Sequence, residues 1–262
     1  MPEPPLLTYI GGPTLLIEWR GLRLLTDPTF DPAGTSYPTP AYTLRKTQGP
    51  ALPADRLGAV DVVLLSHDHH FDNLDHAGRT LLSRAGTVLT TVAGAERIGR
   101  STRGLRPGEE VHLPGPDGRR LHIVATPARH GPPDGDRGPV IGFRLHWRDD
   151  EAGGIYLTGD TVWYEGVHGV RSRGPVQGVI AFAGAAKVKV AGDSPLTLTA
   201  TDTIRIAEEF HPAMIVPIHF EGWEHFTESR SQMEQAFAGA GLAHRLQWLP
   251  PGKAAPLRAS RD

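Results

Sequence analysis

The sequence predicts an α/β protein in which two β-sheets pack face to face with helices outside. Three observations predict it. The first half reads mostly as short strands. The second half alternates strand and helix. The 31 glycines and 24 prolines punctuate the chain into many short elements joined by tight turns. At 262 residues the chain fits one large domain and can bury a sizeable core. No linker marks a boundary, so one domain over 1–262 is expected, with a tail from about 250. The net charge is −2, so no strong field draws the protein to nucleic acid or an anionic membrane. Cysteine is absent, which excludes disulfides, thiolate ligands and a cysteine nucleophile. Residues 1–5 lack a signal-peptide pattern, and no apolar run approaches the length of a membrane span. A soluble cytoplasmic protein is the expectation.

Taken in order, residues 6–10, 14–19 and 22–26 read as strands, with Gly11-Gly12-Pro13 and Arg20-Gly21 as turns. Residues 31–53 carry no clear period; a loop of that length suggests a flap over a site. Residues 60–65 form a continuous apolar, β-branched run, which suits a strand covered on both faces. Residues 75–84 read as a helix, 87–91 as a strand and 93–99 as a short helix. Residues 111–113, 121–126 and 140–147 read as strands, and 132–138 as a loop. A strand over 155–158 stops at Gly159-Asp160, and 162–171 is weakly helical. Another strand covers 176–182. A helix over 199–210 starts at a capping-box-like Thr199 and Asp202. A strand over 214–218 ends at His219, a helix covers 229–240, and a last strand 244–249. The basic stretch 97–106 reads as solvated surface.

The densest chemistry is the stretch Leu64-Leu65-Ser66-His67-Asp68-His69-His70-Phe71-Asp72-Asn73-Leu74-Asp75. An apolar strand stops and three histidines and three aspartates follow at once. Imidazole and carboxylate at this density suit Zn²⁺ or a similar divalent ion. Three later strands also end in a candidate ligand: 123–126 leads to His130, Tyr156-Leu157-Thr158-Gly159 to Asp160, and Ile215-Val216-Pro217-Ile218 to His219. Strand ends of neighbouring sheets can bring such residues to one point. The nucleophile elbow, the phosphate-cradling glycine loop and the His-Glu-x-x-His helix are all missing.

The order of these pieces resembles the metallo-β-lactamase superfamily. Thr158-Gly159-Asp160-Thr161, the Pro217-Ile218-His219 run and the opening Leu25-Thr26-Asp27-Pro28 look closest to its ascorbate-6-phosphate lactonase-like branch. The resemblance spans about residues 6–249. It implies a four-layer αββα sandwich with one or two metal ions, most simply Zn²⁺ with Mn²⁺ or Fe²⁺ as alternatives. It also implies that His130 is the third histidine ligand, Asp160 the bridging aspartate, His219 the last histidine ligand, and Asp27 a neighbour of the site.

The first motif departs from the family form, His-x-His-x-Asp-His, by one extra residue. Read from the left, His67 and His69 match the histidines. Read from the right, Asp72 and Asn73 match the Asp-His pair, with His70 the second histidine and Asp68 the first. His67, His70 and Asp72 are the favoured ligands, with His69 the competitor.

The function this implies is metal-dependent hydrolysis, with hydroxide formed on the metal attacking a small ester, lactone, amide or phosphodiester. Asp160 would bridge the ions, and Asp72 would ligate or accept the proton. The alternatives are a phosphodiesterase or nuclease on the same scaffold, and a degenerate relative that binds without turnover. A small-molecule substrate, no nucleic acid and no membrane are expected; a homo-oligomer stays open. His225 is left between a pocket residue and a helix-start residue.

Overall fold

The strand-rich first half builds one sheet and the alternating second half the other. The computed structural model describes residues 3–99, 102–134, 136–148 and 153–259. Parts of the expected basic stretch (100–101), loop (135) and tail (260–262) lie outside the described residues.

The chain opens with β1 (Leu6–Gly11), β2 (Thr14–Trp19) and β3 (Leu22–Thr26), then the hairpin β4 (Ser36–Pro38) and β5 (Thr43–Arg45). β6 (Val62–Leu64), α1 (His76–Leu81), β7 (Thr87–Thr91), α2 (Val92–Ile98) and β8 (Thr102–Leu105) follow. Next come β9 (Glu110–Pro114), β10 (Arg120–Pro127), β11 (Ile141–Trp147), β12 (Gly154–Leu157) and α3 (Glu165–His168). The chain closes with β13 (Val176–Phe182), α4 (Ala200–Glu209), β14 (Met214–Ile218), α5 (Arg230–Gly239) and β15 (Ala254–Pro256). One sheet runs β15-β1-β2-β3-β6-β7-β8 and the other β14-β13-β12-β11-β10-β9.

The two inner faces share one apolar core. Leu7, Ile17, Leu24 and Leu64 meet Ile123, Phe143, Leu145 and Ile180 there. Trp19 and Trp147 close it edge to face at 6.1 Å. Outside the first sheet, Leu16, Val63 and Leu65 pack with Leu74, Leu81 and Leu82 around α1. Outside the second, Val179 and Ile215 pack under Ile206 of α4, Phe210 just past its end and Phe237 of α5. Val63 and Leu64 thus face opposite layers yet are both buried, which is why this strand reads as a continuous apolar run rather than an alternating one. The order is the expected αββα sandwich.

Local signals set the helix starts. Thr199 and Asp202 form a reciprocal capping box at α4, Ser229 and Gln232 another at α5, and the Asp75 carboxylate caps α1 by accepting from Gly78 N–H.

The structure departs from the expectations in four places. The expected strand 244–249 is instead a 3₁₀ turn, Ala243–Arg245, followed by a single bridge from Leu246 to Ile215. The buried Arg245 guanidinium donates to the Ala213 carbonyl, using backbone acceptors where a strand would sit. The segment from Pro250 is no loose tail as far as 259: β15 pairs antiparallel with β1 and covers an otherwise open sheet edge. β8 escapes sequence reading because Arg103 and Gly104 break its apolar pattern. Residues 31–53 hold the β4–β5 hairpin, which is tied down rather than loose. Lys46 Nζ forms a buried ion pair with Asp75 at 2.9 Å, and Tyr37 stacks on Phe71 at 4.7 Å and lies beside Trp223.

Candidate metal centre

Five strands point the same way and stop at one edge of the sandwich. β3 runs parallel to β6, and β12, β13 and β14 are mutually parallel. β10 is antiparallel to β11, which is antiparallel to β12, so β10 shares their direction. Their ends deliver Asp27, Ser66-His67, His130, Asp160 and His219 to one place. Ile141 N–H donates to the Ser66 carbonyl at 3.1 Å and joins the two sheets there. The chain turns sharply at this edge, with positive φ at Asp27 (25°), Gly159 (62°) and His219 (56°). Non-glycine residues adopt such angles only when their surroundings hold them, and they cluster at functional sites.

The hydrogen bonds show which way each ring faces. A carbonyl oxygen only accepts, so His130 donates through Nδ1 to Leu196 O at 2.8 Å and turns Nε2 inward. Asp27 Oδ1 accepts from both Ser66 N–H (2.7 Å) and Ser66 Oγ–H (2.9 Å). Ser66 Oγ is then left to accept from His67 Nδ1 at 2.9 Å, and His67 also turns Nε2 inward. His219 donates through Nδ1 to Asp160 Oδ1 at 2.9 Å. Outer nitrogens engaged and inner nitrogens converging is the pattern of metal-ligating imidazoles.

At the point of convergence, His70 Nδ1 lies 2.9 Å from His67 Nε2 and 3.1 Å from His130 Nε2. His130 Nε2 is 3.4 Å from Asp160 Oδ2. Tetrahedral ligands about 2.1 Å from Zn²⁺ sit about 3.4 Å apart, close to these spacings. A second group, Asp72, Asp160 and His219, brings one ligand atom from each residue within 4.8 Å of the others. Asp160 Oδ2 and His219 Nε2 are buried and make no well-formed hydrogen bond; the partners nearest in charge, His130 Nε2 and Asp72 Oδ2, each stand 3.4 Å away. Orphaned buried polar atoms are costly unless a partner such as an ion completes them. The donor set therefore fits a divalent cation.

The electrostatics agree. Burial and the neighbouring His70 pull His67 well below the usual histidine range, and burial and His130 lower His70 to about 3. Both stay unprotonated and able to ligate. Burial alone would raise Asp160 and Asp72, but His219 overrides it at Asp160, and His225 with His219 at Asp72, so both carboxyls stay ionised. Burial would lower His219, yet Asp160 and Asp72 raise it to about 10. Two buried carboxylates thus hold one proton on His219 in the metal-free site, and a cation bound between them would take that proton's place.

The structure brings His67, His70, Asp72, His130, Asp160 and His219 together. His69 is turned to the rim, where its Nε2 donates to Arg137 O at 2.9 Å. It stays close to His67 and His70, but its side chain is exposed where those of His67 and His130 are buried. Asp68, the first ligand in the right-hand register, is turned away into Arg97, whose Nε donates to it at 2.9 Å. Arg97 is therefore an anchor for the motif rather than simple solvated surface. Asn73 donates through Nδ2 to Asp160 Oδ1 at 3.3 Å. His225, left open by the sequence, places Nε2 3.0 Å from Asp72 Oδ2.

The β4–β5 hairpin roofs the site. Tyr42 and Leu44, with Val188, line an inner cleft that also contains His70, Asp72, His130 and His225. A neighbouring groove of about 380 Å³ shares Tyr42, Leu44, Val188 and His225 with this cleft and is also lined by Lys187 and Lys189. Among the described residues no helix is long and apolar enough to cross a membrane.

Comparison with known proteins places this geometry in context. A family model for the β-lactamase superfamily domain matches residues 22–220. The UPF0173 protein YddR of Bacillus subtilis is 25% identical over 254 residues, covering 92% of this chain and 95% of its own. A UPF0173 metal-dependent hydrolase of Salinibacter ruber is 25% identical over 248 residues, covering 92% and 95%. Among solved structures, the isothiocyanate hydrolase from Delia radicum gut bacteria superposes with a TM-score of 0.82 at 24% identity, covering 97% of this chain and all of that one.

Proposed function

The chain belongs to the metallo-β-lactamase superfamily, and on that premise we propose that it is a metal-dependent hydrolase of a small ester, lactone or amide. The observation that carries this reading is the set of inward imidazole nitrogens beside the orphaned Asp160 Oδ2 and His219 Nε2. In this reading His67, His70, His130 and Asp160 hold one divalent ion, with Zn²⁺ the first choice for such a ligand set. Asp72 and His219 share Asp160 in a second group, and His69 stays outside. A bound ion would supply a water acidic enough to ionise near neutral pH and a Lewis acid for the substrate's carbonyl or phosphoryl oxygen.

The chain's own residues do the rest. Ser66 and Leu196 fix the His67 and His130 rings. Asn73 steadies Asp160. Asp72, held ionised by His225 and His219, is available to ligate or to accept a proton but not to donate one. Tyr42, Leu44 and Val188 give the substrate an apolar wall and limit access of bulk water. A groove of about 380 Å³ suits a small molecule. Lys187 and Lys189 in its lining favour a substrate with an anionic group. The net charge of −2 favours a small substrate over a nucleic-acid chain, so phosphodiesters enter the test as small model compounds.

The test is metal analysis followed by a substrate panel of lactones, aryl esters, amides and bis-aryl phosphates. The expected result is at least one tightly held equivalent of Zn, Mn or Fe, and turnover abolished by His130→Ala and by Asp160→Ala. Less than one equivalent after reconstitution sinks the reading in favour of a non-catalytic relative. So does an activity that survives both substitutions.

A further inference from the structure

The second metal group lacks a histidine where the family motif supplies one: position 73 is Asn. Its amide nitrogen points to Asp160 Oδ1 and to Ser66 Oγ (3.5 Å), and its Oδ1 is buried without a partner. An amide held in this way props a carboxylate and is a weak ligand for a transition metal. Yet the second group retains Asp72, Asp160 and His219, three buried ligands with an open position.

His225 approaches that group from a different part of the chain. It lies on the loop between β14 and α5, six residues past His219. Its Nε2 is 3.0 Å from Asp72 Oδ2, and His219 Nε2 is 3.4 Å from the same oxygen. The side chain is 9% exposed, and Nδ1 is buried with no hydrogen-bond partner. Its one polar side-chain contact among the described residues is therefore Asp72. The ring is held in place by Phe226 at 4.6 Å and by the backbone, where Lys187 N–H donates to the His225 carbonyl at 2.9 Å. A buried polar side chain aimed only at a metal-binding carboxylate is placed as a ligand would be.

We infer that His225 is the fourth ligand of a second metal ion, replacing from the β14–α5 loop the histidine that Asn73 displaces from the first motif. The inference rests on the metal-dependent reading above. It means that the second ion's affinity depends on a loop that also lines the substrate groove.

Metal stoichiometry tests it without recourse to turnover. The protein is stripped with chelator, reloaded with Zn²⁺, desalted and counted by elemental analysis. The wild type is expected to hold two equivalents. His225→Gln keeps a donor for Asp72 and is expected to hold one, with a chelator-state melting temperature near wild type. Adding Asn73→His to His225→Gln is expected to restore the second equivalent, a rescue that a purely structural role for His225 would not permit. Two equivalents retained by His225→Gln, or a single equivalent in the wild type, overturns the inference while leaving the hydrolase reading intact. Less than one equivalent in the wild type overturns both.

Discussion

Lys46→Met tests whether the hairpin roof is held by one buried ion pair. Lys46 Nζ lies 2.9 Å from Asp75 Oδ2, with side chains 4% and 0% exposed. Burial lowers the Lys46 pKa, against which the Asp75 charge pulls it back up. Removing one partner of such a pair leaves an uncompensated buried charge and typically costs 3–5 kcal/mol. Asp75 keeps two further donors, Asp31 N–H at 2.7 Å and Gly78 N–H at 2.8 Å, so the low end applies, about 3 kcal/mol. For a chain of this size that is a fall in Tm of roughly 6–12 °C. Methionine preserves the length of the stem, so the loss reports the charge, which both Asp75 and the Trp223 ring 5.4 Å from Nζ engage. The assay is thermal unfolding in chelator, with hydrogen exchange across 36–45 to show loosening of the β4–β5 hairpin. Asp75→Asn in the same background relieves the stranded carboxylate, and the double variant is expected to lose less than the two single variants together. A single-variant cost below about 1 kcal/mol, or strict additivity in the cycle, refutes the reasoning.

Other outcomes follow from the site. In chelator, stability is expected to peak near pH 6.5. His67 and His70 have folded pKa values below their unfolded one, so stability is lost as pH falls below about 6.5. His219, raised to about 10, contributes stability that is complete below its unfolded pKa and drains away as pH climbs through 10, at up to about 1.4 kcal/mol per pH unit; a flat melting profile from pH 6.5 to 9 contradicts this. Ser66→Ala removes the acceptor that fixes the His67 ring, and metal affinity should fall about 10–100-fold in a chelator competition. His69→Ala should leave metal content unchanged by elemental analysis, because its side chain is exposed at the rim. Gly159→Ala places a Cβ 2.6 Å from Ile141 O at φ 62°, and soluble yield and Tm should both drop sharply.

Much of the architecture was legible because the relevant physics is local. The apolar run at 60–65, the alternation along β10 and the capping box at Thr199 and Asp202 each follow from a few neighbouring residues. The strand ends carrying His130, Asp160 and His219 were legible for the same reason. The two edge strands of the first sheet were not: β8 and β15 are short and lack an apolar pattern, and they form because β7 and β1 offer open backbone, which is a property of the assembled sheet.

The sequence by itself determined the two-sheet sandwich, the order of its ligands and the chemistry those ligands can support. Only the tertiary structure decided which histidines face inward. In the stretch His67-Asp68-His69-His70 the residue types are nearly interchangeable, and each ring's direction is set by a partner far away. Ser66 and Asp27 turn His67, Arg137 O draws His69 outward, and Arg97 holds Asp68 away. His225 is the same case: its place beside Asp72 depends on where the β14–α5 loop closes over the sheet edge. Periodicity is written in near neighbours, but the aim of a ligand depends on hydrogen bonds between segments that meet only after folding.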